Sequence, residues 1–356
     1  MAAVNGENQY DRAEEVKRFD ESKIGAKGLV DSGLTAIPRF FIHPPENLSD
    51  LKPKLESVVI PTIDLSGPRS VVVEQVASAS RSFGFFRILN HGIPVQVLDR
   101  TIGSVRAFHE QPQDVKAGFY RRDKGTGVSL VCNNDLFHSK AASWRDTLRI
   151  SVGPNLPELE QIPEVCRDEV VEWNLQTKAL GEWLMGLLSQ GLGLDTDKLK
   201  NTSCLEGRYM ACHYYPCCPQ PDLTLGIASH TDPGVLTVLL QDHIGGLQIK
   251  HEEEWVDVKP VPGALVINIA DVLQIMSNDE YRSAEHRVLA NSSDEPRVSI
   301  AVFFNASARE ALYGPFSELT SPEKPARYRQ FVYDDYIRRF HNMELDGKTL
   351  TNYYKL

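Results

Sequence analysis

The spacing of apolar positions along the 356-residue chain changes character near residue 205. Before that point the period is helical. Val71 to Ser82 reads as one helix, and Gly84 ends it before Phe85-Phe86-Arg87-Ile88-Leu89, a short strand stopped by Asn90-His91-Gly92. A second helix is expected from Val95 to about Glu110. From Pro163 to Gln190, Val170, Val171, Leu180, Trp183, Leu184, Leu187 and Leu188 form a helical stripe closed by Gly191 and Gly193, which predicts the longest helix. After residue 205 the pattern alternates, with short runs at 208–215, 235–241, 264–270 and 297–304 separated by Gly, Pro and Asn/Asp turns. Strands of that length and spacing predict a sandwich or jelly roll. Residues 1–50 are polar apart from Ile37-Pro38-Arg39-Phe40-Phe41-Ile42, and they read as an arm lying on the domain.

Alternation also sorts chemistry onto faces. In the run Arg297 to Phe304, the residues Arg297, Ser299, Ala301 and Phe303 share one face, and four apolar residues share the other. A guanidinium can grip a carboxylate with two parallel hydrogen bonds, and a serine hydroxyl can add a third, so this face reads as a carboxylate clamp. Ala211, His213 and Tyr215 share a face of the run at 208–215 in the same way. Between these runs stand His230 and Asp232, two residues apart, and later His286. Two imidazoles and one carboxylate are the ligand set of a non-haem Fe(II) centre with open positions. If His230-Thr231-Asp232 is extended, its first and third side chains point the same way. Singly these residues mean little. A histidine on a strand is more often buried or wet than a ligand, and an arginine there is usually solvated or paired. Zinc is disfavoured as a reading of Cys212, His213, Cys217 and Cys218, because no Cys-x-x-Cys pair has a matching second pair.

Composition sets limits on this picture. The chain is 42% hydrophobic and 24% charged, enough for a large core. Its net charge of -10 argues against nucleic acid or an anionic membrane as the main partner and leaves small molecules as the substrate class. Six cysteines follow no disulfide framework, no apolar run approaches the length of a membrane span, and the N-terminus has no signal-peptide pattern. A reducing cytoplasm is the expected home.

Order and spacing together raise the weight of the triad. His230 and Asp232, then His286 after 53 residues, then Arg297 after ten more, then Ser299, resemble the signature of the plant Fe(II)- and 2-oxoglutarate-dependent dioxygenases. Ile60-Pro61-Thr62-Ile63-Asp64-Leu65, Phe83 to Pro94, Tyr214-Tyr215-Pro216-Cys217-Cys218-Pro219-Gln220-Pro221 and Gly245-Gly246-Leu247-Gln248 also look like that family's landmarks. The stretch Val16 to Gly33 resembles the subgroup of 1-aminocyclopropane-1-carboxylate oxidase homologues, to which desacetoxyvindoline 4-hydroxylase and a benzoxazinoid glucoside dioxygenase belong. The resemblance implies an α+β fold. Its core would be a double-stranded β-helix (jelly roll, cupin-like) flanked by helices, with a helical N-terminal region and a C-terminal helix. The expected boundaries are an arm at 1–50, a mainly helical region at 51–205, the catalytic jelly roll at 206–310 and a helical lid at 311–356.

Carried over by residue, the resemblance makes His230, Asp232 and His286 the iron ligands, and Arg297, Ser299 and Tyr215 the partners of the 2-oxoglutarate carboxylate. His213 stands where many relatives carry Asn, and Ala270 where glycine is usual; either imidazole or amide can donate a hydrogen bond. The implied reaction uses dioxygen, Fe(II) and 2-oxoglutarate, with ascorbate as reductant. It releases succinate and carbon dioxide, oxidises a substrate C–H bond and needs no general base. Hydroxylation of an alkaloid, phenolic or terpenoid of plant specialised metabolism by a monomeric enzyme is expected. Demethylation, desaturation and ring closure by the same oxidant are the alternatives. An ascorbate-driven aminocyclopropane-carboxylate oxidase, which lacks the N-terminal extension, and a non-catalytic jelly-roll binding protein are further readings. Phe303, Phe137, Ala211 and Phe331 are the candidate substrate contacts, and Tyr328, Phe331 and Tyr336, at helical spacing, are the candidate lid.

Overall fold

The computed structural model describes residues 10–48, 50–51, 58–122, 127–342 and 348–356. The first nine residues of the expected arm, 52–57 at the head of the second region and 343–347 within the expected lid lie outside them. In chain order the strands are β1 (Thr62–Asp64), β2 (Phe85–Leu89), β3 (Val128–Val131), β4 (Asp146–Ser151), β5 (Gly207–Tyr215), β6 (Leu225–His230) and β7 (Leu236–Gln241). They continue with β8 (Leu247–His251), β9 (Glu254–Asp257), β10 (Leu265–Ile269), β11 (His286–Leu289), β12 (Arg297–Asn305), β13 (Leu312–Tyr313) and β14 (Phe331–Val332). A large sheet has the order β1-β2-β10-β7-β12-β5-β4-β3, and a smaller one the order β6-β11-β8-β9.

Pleating explains how the two layers meet. On one face of the large sheet, Val298, Ile300, Val302 and Phe304 of β12 join Leu236, Val238 and Leu240 of β7 and Leu265, Ile267 and Ile269 of β10. They share one apolar cluster with Leu180, Leu184, Leu187 and Leu188 of the helix Arg167–Gly191. Each such side chain stabilises the fold by roughly 1.5–3 kcal/mol when fully buried. A one-residue slip of β12 would push Arg297 and Ser299 into this layer, so the register is strongly specified. Helix and sheet approach closely at Gly181, where a Cβ would lie 2.4 Å from the Phe304 ring. On the opposite face Phe85, Tyr215 and Val266 meet Ile227, Leu247, Ile249, Val256 and Val288 of the small sheet. The fold is therefore the jelly roll with flanking helices that the sequence implied.

The helices read from periodicity appear as Arg69–Ser82, Val95–His109 and the 25-residue Arg167–Gly191, and the four strands read from alternation appear as β5, β7, β10 and β12. The region at 51–205 carries β2, the strand expected at 85–89, and also β1, β3 and β4, and all four join the large sheet. Strand β3 is buried along its whole length and shows no alternation, while β4 carries Asp146 and Arg149, whose partners lie far off in sequence. One expectation needs correcting, because the aromatic stripe near the C-terminus is not one helix. The helix begins at Tyr333, Phe331 lies in β14, and Tyr328 bridges to Lys355.

The arm packs on the body through its own apolar cluster, in which Val16, Phe19, Phe40 and Phe41 meet Leu136, Trp144 and Cys218. Phe41 and Trp144 are edge to face at 4.9 Å. Asp146 accepts hydrogen bonds from the backbone N–H groups of Ala26 and Lys27, each at 2.8 Å, and so ends the arm helix Gly25–Asp31 on β4. A Cβ at Gly25, whose φ is +67°, would lie 2.4 Å from that carboxylate. Asp146→Ala leaves one buried and one half-buried donor unpaired and is expected to cost about 1–3 kcal/mol, read as a lower urea midpoint with faster proteolysis of the arm. An unchanged midpoint and cleavage rate would show that the arm is held by its aromatic residues alone.

Candidate active site

Strands β6 and β11 pair so that His230 and His286 are direct cross-strand partners, and their rings lie 4.2 Å apart. Asp232 follows β6 and is fixed through its backbone carbonyl, which accepts from Asp271 N–H at 2.9 Å. The Asp271 carboxylate in turn accepts from the Thr231 hydroxyl at 2.9 Å. Asp232 Oδ1 lies 3.6 Å from Nε2 of His230 and 3.6 Å from Nε2 of His286, and one ligand atom from each of the three residues falls within 4.8 Å of the others. Nitrogen and oxygen ligands bind a first-row divalent ion at about 2.1 Å, so ligands at right angles stand about 3 Å apart. The two carboxylate–imidazole distances of 3.6 Å lie close to that spacing.

The unused atoms of the triad are all engaged. His230 Nδ1 is 2.8 Å from the Ala228 carbonyl and His286 Nδ1 is 3.2 Å from the Ala284 carbonyl, which directs both Nε2 lone pairs inward. Asp232 Oδ2 accepts from the Thr237 hydroxyl at 2.6 Å and from the Asn268 amide at 2.8 Å, leaving Oδ1 for a metal. Burial, and then the His286 imidazole beside it, hold His230 down to about 3, so it is neutral and able to ligate. Burial alone would raise Asp232, but the two imidazoles and the bonds from Thr237 and Asn268 outweigh it and keep the carboxyl below its usual range. Thr237→Val or Asn268→Ala is expected to weaken iron binding by about 10- to 100-fold, the usual effect of losing such a supporting bond, as measured by competition with a chelator. Unchanged affinity in both variants would mean that the triad is oriented by backbone alone.

The candidate clamp lies on the large sheet. Arg297, Ser299, Ala301 and Phe303 of β12 pair in register with Tyr215, His213, Ala211 and Tyr209 of β5. Arg297 is 2% exposed; its Nη1 donates to Ser299 Oγ at 3.0 Å, its Nη2 to Gln241 Oε1 at 3.0 Å, and its guanidinium stands 4.8 Å over the Tyr215 ring. Arg297 Nε and the Tyr215 hydroxyl are buried without a hydrogen-bond partner. A buried cation with neutral neighbours and two orphaned donors fits a carboxylate ligand. His213 Nδ1 is 2.9 Å from the Thr147 hydroxyl. Burial, then the cations Arg145 and Arg297, hold His213 well below its ordinary value, so it stands beside the candidate clamp as a neutral ring.

The candidate substrate contacts divide. Ala211 and Phe303 share the face of the clamp, whereas Phe304 is the core member of its pair. Phe137 is 46% exposed, with the Arg122 guanidinium 5.2 Å over its ring. Phe331 stacks on Tyr336 at 4.8 Å and lines a surface cleft of about 770 Å³ that contains none of the triad or clamp residues. Tyr336 is buried, and Tyr328 is tied to Asp279 and Gln274, so these rings are core and not a lid. Residues not singled out from the sequence are Thr237, Gln241, Asn268 and Arg145. The signal for Asn268 was present: it is a lone amide inside the apolar run Leu265–Ile269.

Comparison with known proteins agrees with this geometry. Residues 206–306 match the 2OG-Fe(II) oxygenase superfamily, and residues 60–168 match the N-terminal region described as a non-haem dioxygenase in morphine synthesis. The chain belongs to the 2OG-Fe(II) oxygenase superfamily. It is an Fe(II)- and 2-oxoglutarate-dependent dioxygenase. This oxygenase is 48% identical to 1-aminocyclopropane-1-carboxylate oxidase homolog 4 of Arabidopsis thaliana, over 96% of this chain and 98% of that one. It is 44% identical to a 1-aminocyclopropane-1-carboxylate oxidase homolog of Solanum lycopersicum over 100% of both chains. Among solved structures, JOX2 in complex with 2OG, Fe and JA superposes on this oxygenase with a TM-score of 0.82 at 32% identity, covering 93% of this chain and 97% of that one. A rice dioxygenase for auxin oxidation gives 0.69 at 28% identity, covering 83% and 100%.

Proposed function

We propose that this oxygenase hydroxylates a small, largely apolar metabolite of plant specialised metabolism, such as an alkaloid, phenolic or terpenoid, and that it does so as a cytoplasmic monomer. The observation that carries the reading is the floor beyond the clamp. Between the Ser299/His213 pair and the Phe303/Tyr209 pair, Ala301 and Ala211 face each other in register, so two methyl groups line a stretch closed at its far end by two rings 6.1 Å apart. Such a floor supports an apolar body over the strands that carry the clamp. The triad would hold Fe(II), and Arg297, Ser299 and Tyr215 would hold the 2-oxoglutarate carboxylate. Bound iron and cosubstrate supply oxidative decarboxylation, coupled to dioxygen, that ends in removal of a hydrogen from a substrate C–H bond. The protein positions and excludes water. Arg297 would hold the cosubstrate's far end, Asp232 and the two imidazoles would hold the ion, and the alanine floor would leave room for the substrate. No side chain is asked to move a proton. Ascorbate suits the role of reductant for iron.

A plant metabolite extract incubated with the purified protein, Fe(II), ascorbate and 2-oxoglutarate tests this reading by mass spectrometry. A compound that gains one oxygen only when both iron and 2-oxoglutarate are present supports it. Loss of a methyl group or of two hydrogens would instead indicate demethylation or desaturation, and an unaltered extract would count against the substrate class.

A further inference from the structure

We infer that Arg145 is an anion-binding residue for the substrate, so that the otherwise apolar substrate carries one carboxylate or an equivalent anionic group. This rests on the oxygenase reading of the site and narrows its substrate class. Arg145 is only 6% exposed, yet its Nε and Nη1 are buried without a hydrogen-bond partner, and it makes no ion pair with any described acidic residue. An arginine cannot shed its charge when buried, so a guanidinium in this position is costly until an anion meets it.

The neighbours say where that anion would lie. Arg145 immediately precedes β4, in which Thr147 and Arg149 pair with His213 and Ala211 of β5. The flanking residues Trp144 and Asp146 turn away, toward Phe41 and toward the Ala26 and Lys27 N–H groups of the arm. Arg145 therefore faces the interior, where its charge acts on the iron ligand His230, on His213 and on Tyr209. Its neighbour Asp146 pairs with Tyr214, so Arg145 joins the face at the level of the Tyr215/Arg297 pair, on the β4 side of β5. The other basic groups on this side have assignments of their own, Arg149 to neutral partners and Arg297 to the cosubstrate carboxylate. Arg149 donates to Ser129, Asn134 and the Arg121 carbonyl, and Arg297 to Ser299 and Gln241. The arm has a part in this arrangement. By gripping Trp144 and Asp146 on either side, it fixes the one residue between them, so the N-terminal extension becomes a positioning element for the substrate anchor.

The test uses benzoate, phenylacetate and trans-cinnamate, each beside its methyl ester, titrated into the full-length protein loaded with Fe(II) and 2-oxoglutarate without dioxygen, with thermal midpoint as the readout. At least one acid is expected to raise the midpoint saturably while its ester does not. Arg145→Met is expected to weaken that acid by about 30- to 1,000-fold, the loss typical of a buried charge pair that loses one member, and Arg145→Lys to restore part of it. Met keeps much of the volume, and the variant's own midpoint without ligand should stay level or rise, since an unmet charge has been removed. The shift caused by 2-oxoglutarate should be equal in wild type and variant, which separates a substrate anion from the cosubstrate's own carboxylate. Acids and esters acting alike, no acid acting at all, an unaltered response in Arg145→Met, or a raised 2-oxoglutarate requirement in that variant would each overturn the inference. Failure of the wild type to respond to 2-oxoglutarate would instead strike at the oxygenase reading, and it is visible in the same titration.

Discussion

Asp232→Ala is expected to abolish succinate formation and iron retention together. Losing a supporting bond around a metal ligand typically costs about 10- to 100-fold in affinity, and losing the ligand itself, the only anion of the three, should cost more. The loss has a structural component as well. The Thr237 hydroxyl and the Asn268 amide both end on Asp232 Oδ2, so truncation strands two buried donors at roughly 1–3 kcal/mol each. Asp232→Asn separates the two effects, because its amide oxygen can still accept those bonds while the charge that draws iron is gone. The expected outcome is a folded Asp232→Asn protein by near-ultraviolet circular dichroism, with little bound iron and no 2-oxoglutarate turnover. Substantial turnover in that variant would remove Asp232 from the iron site, whatever the alanine variant does.

The two halves of this site were not equally legible in the sequence. Strand β12 could be read directly, because each outward position is Val, Ile or Phe and the inward set then has to be Arg297, Ser299, Ala301 and Phe303. The triad needed more than pattern, since His230 and His286 meet only through the β6–β11 pairing, which joins segments separated by more than 50 residues. Resemblance supplied that long-range contact, and the geometry agreed. What stayed hidden was polar chemistry with distant partners. Asp146 and Arg149 look like surface residues in sequence, yet one caps a helix in the arm and the other is tied to Ser129 across the β3–β4 pair. The strand that holds them was missed for the same reason. Aromatic residues misled in the opposite direction. Tyr328, Phe331 and Tyr336 have helical spacing, but large rings contribute most to stability when buried, and all three serve the core. Arg145 combines both problems, being a charged residue in a segment without alternation whose lack of a partner is visible only in three dimensions.

Arg297→Ala is expected to raise the 2-oxoglutarate requirement by about two to three orders of magnitude while leaving iron affinity nearly unchanged. The size follows from burial. Removing one member of a buried charge pair costs roughly 3–5 kcal/mol, and each 1.4 kcal/mol is a factor of ten in binding. Neither neighbour can replace the guanidinium, since Gln241 and Ser299 are neutral and offer the carboxylate only single hydrogen bonds. Arg297→Lys should recover part of the affinity, because an ammonium restores the charge but not the two-pronged geometry. Thermal unfolding gives a second reading of the same pair. The wild-type protein at 100 times its dissociation constant for 2-oxoglutarate gains about 2.7 kcal/mol of stability, and Arg297→Ala at that same concentration should gain almost none. Without cosubstrate the order can reverse, because Arg297 pairs with no described acidic side chain and its buried charge is then unmatched. Arg297→Met, which fills the space without the charge, is therefore expected to melt no lower than wild type when 2-oxoglutarate is absent and clearly lower when it is saturating. A variant that melts lower in both conditions, with an unaltered 2-oxoglutarate requirement, would make Arg297 a structural residue and leave the cosubstrate's charge partner to be found elsewhere on the face.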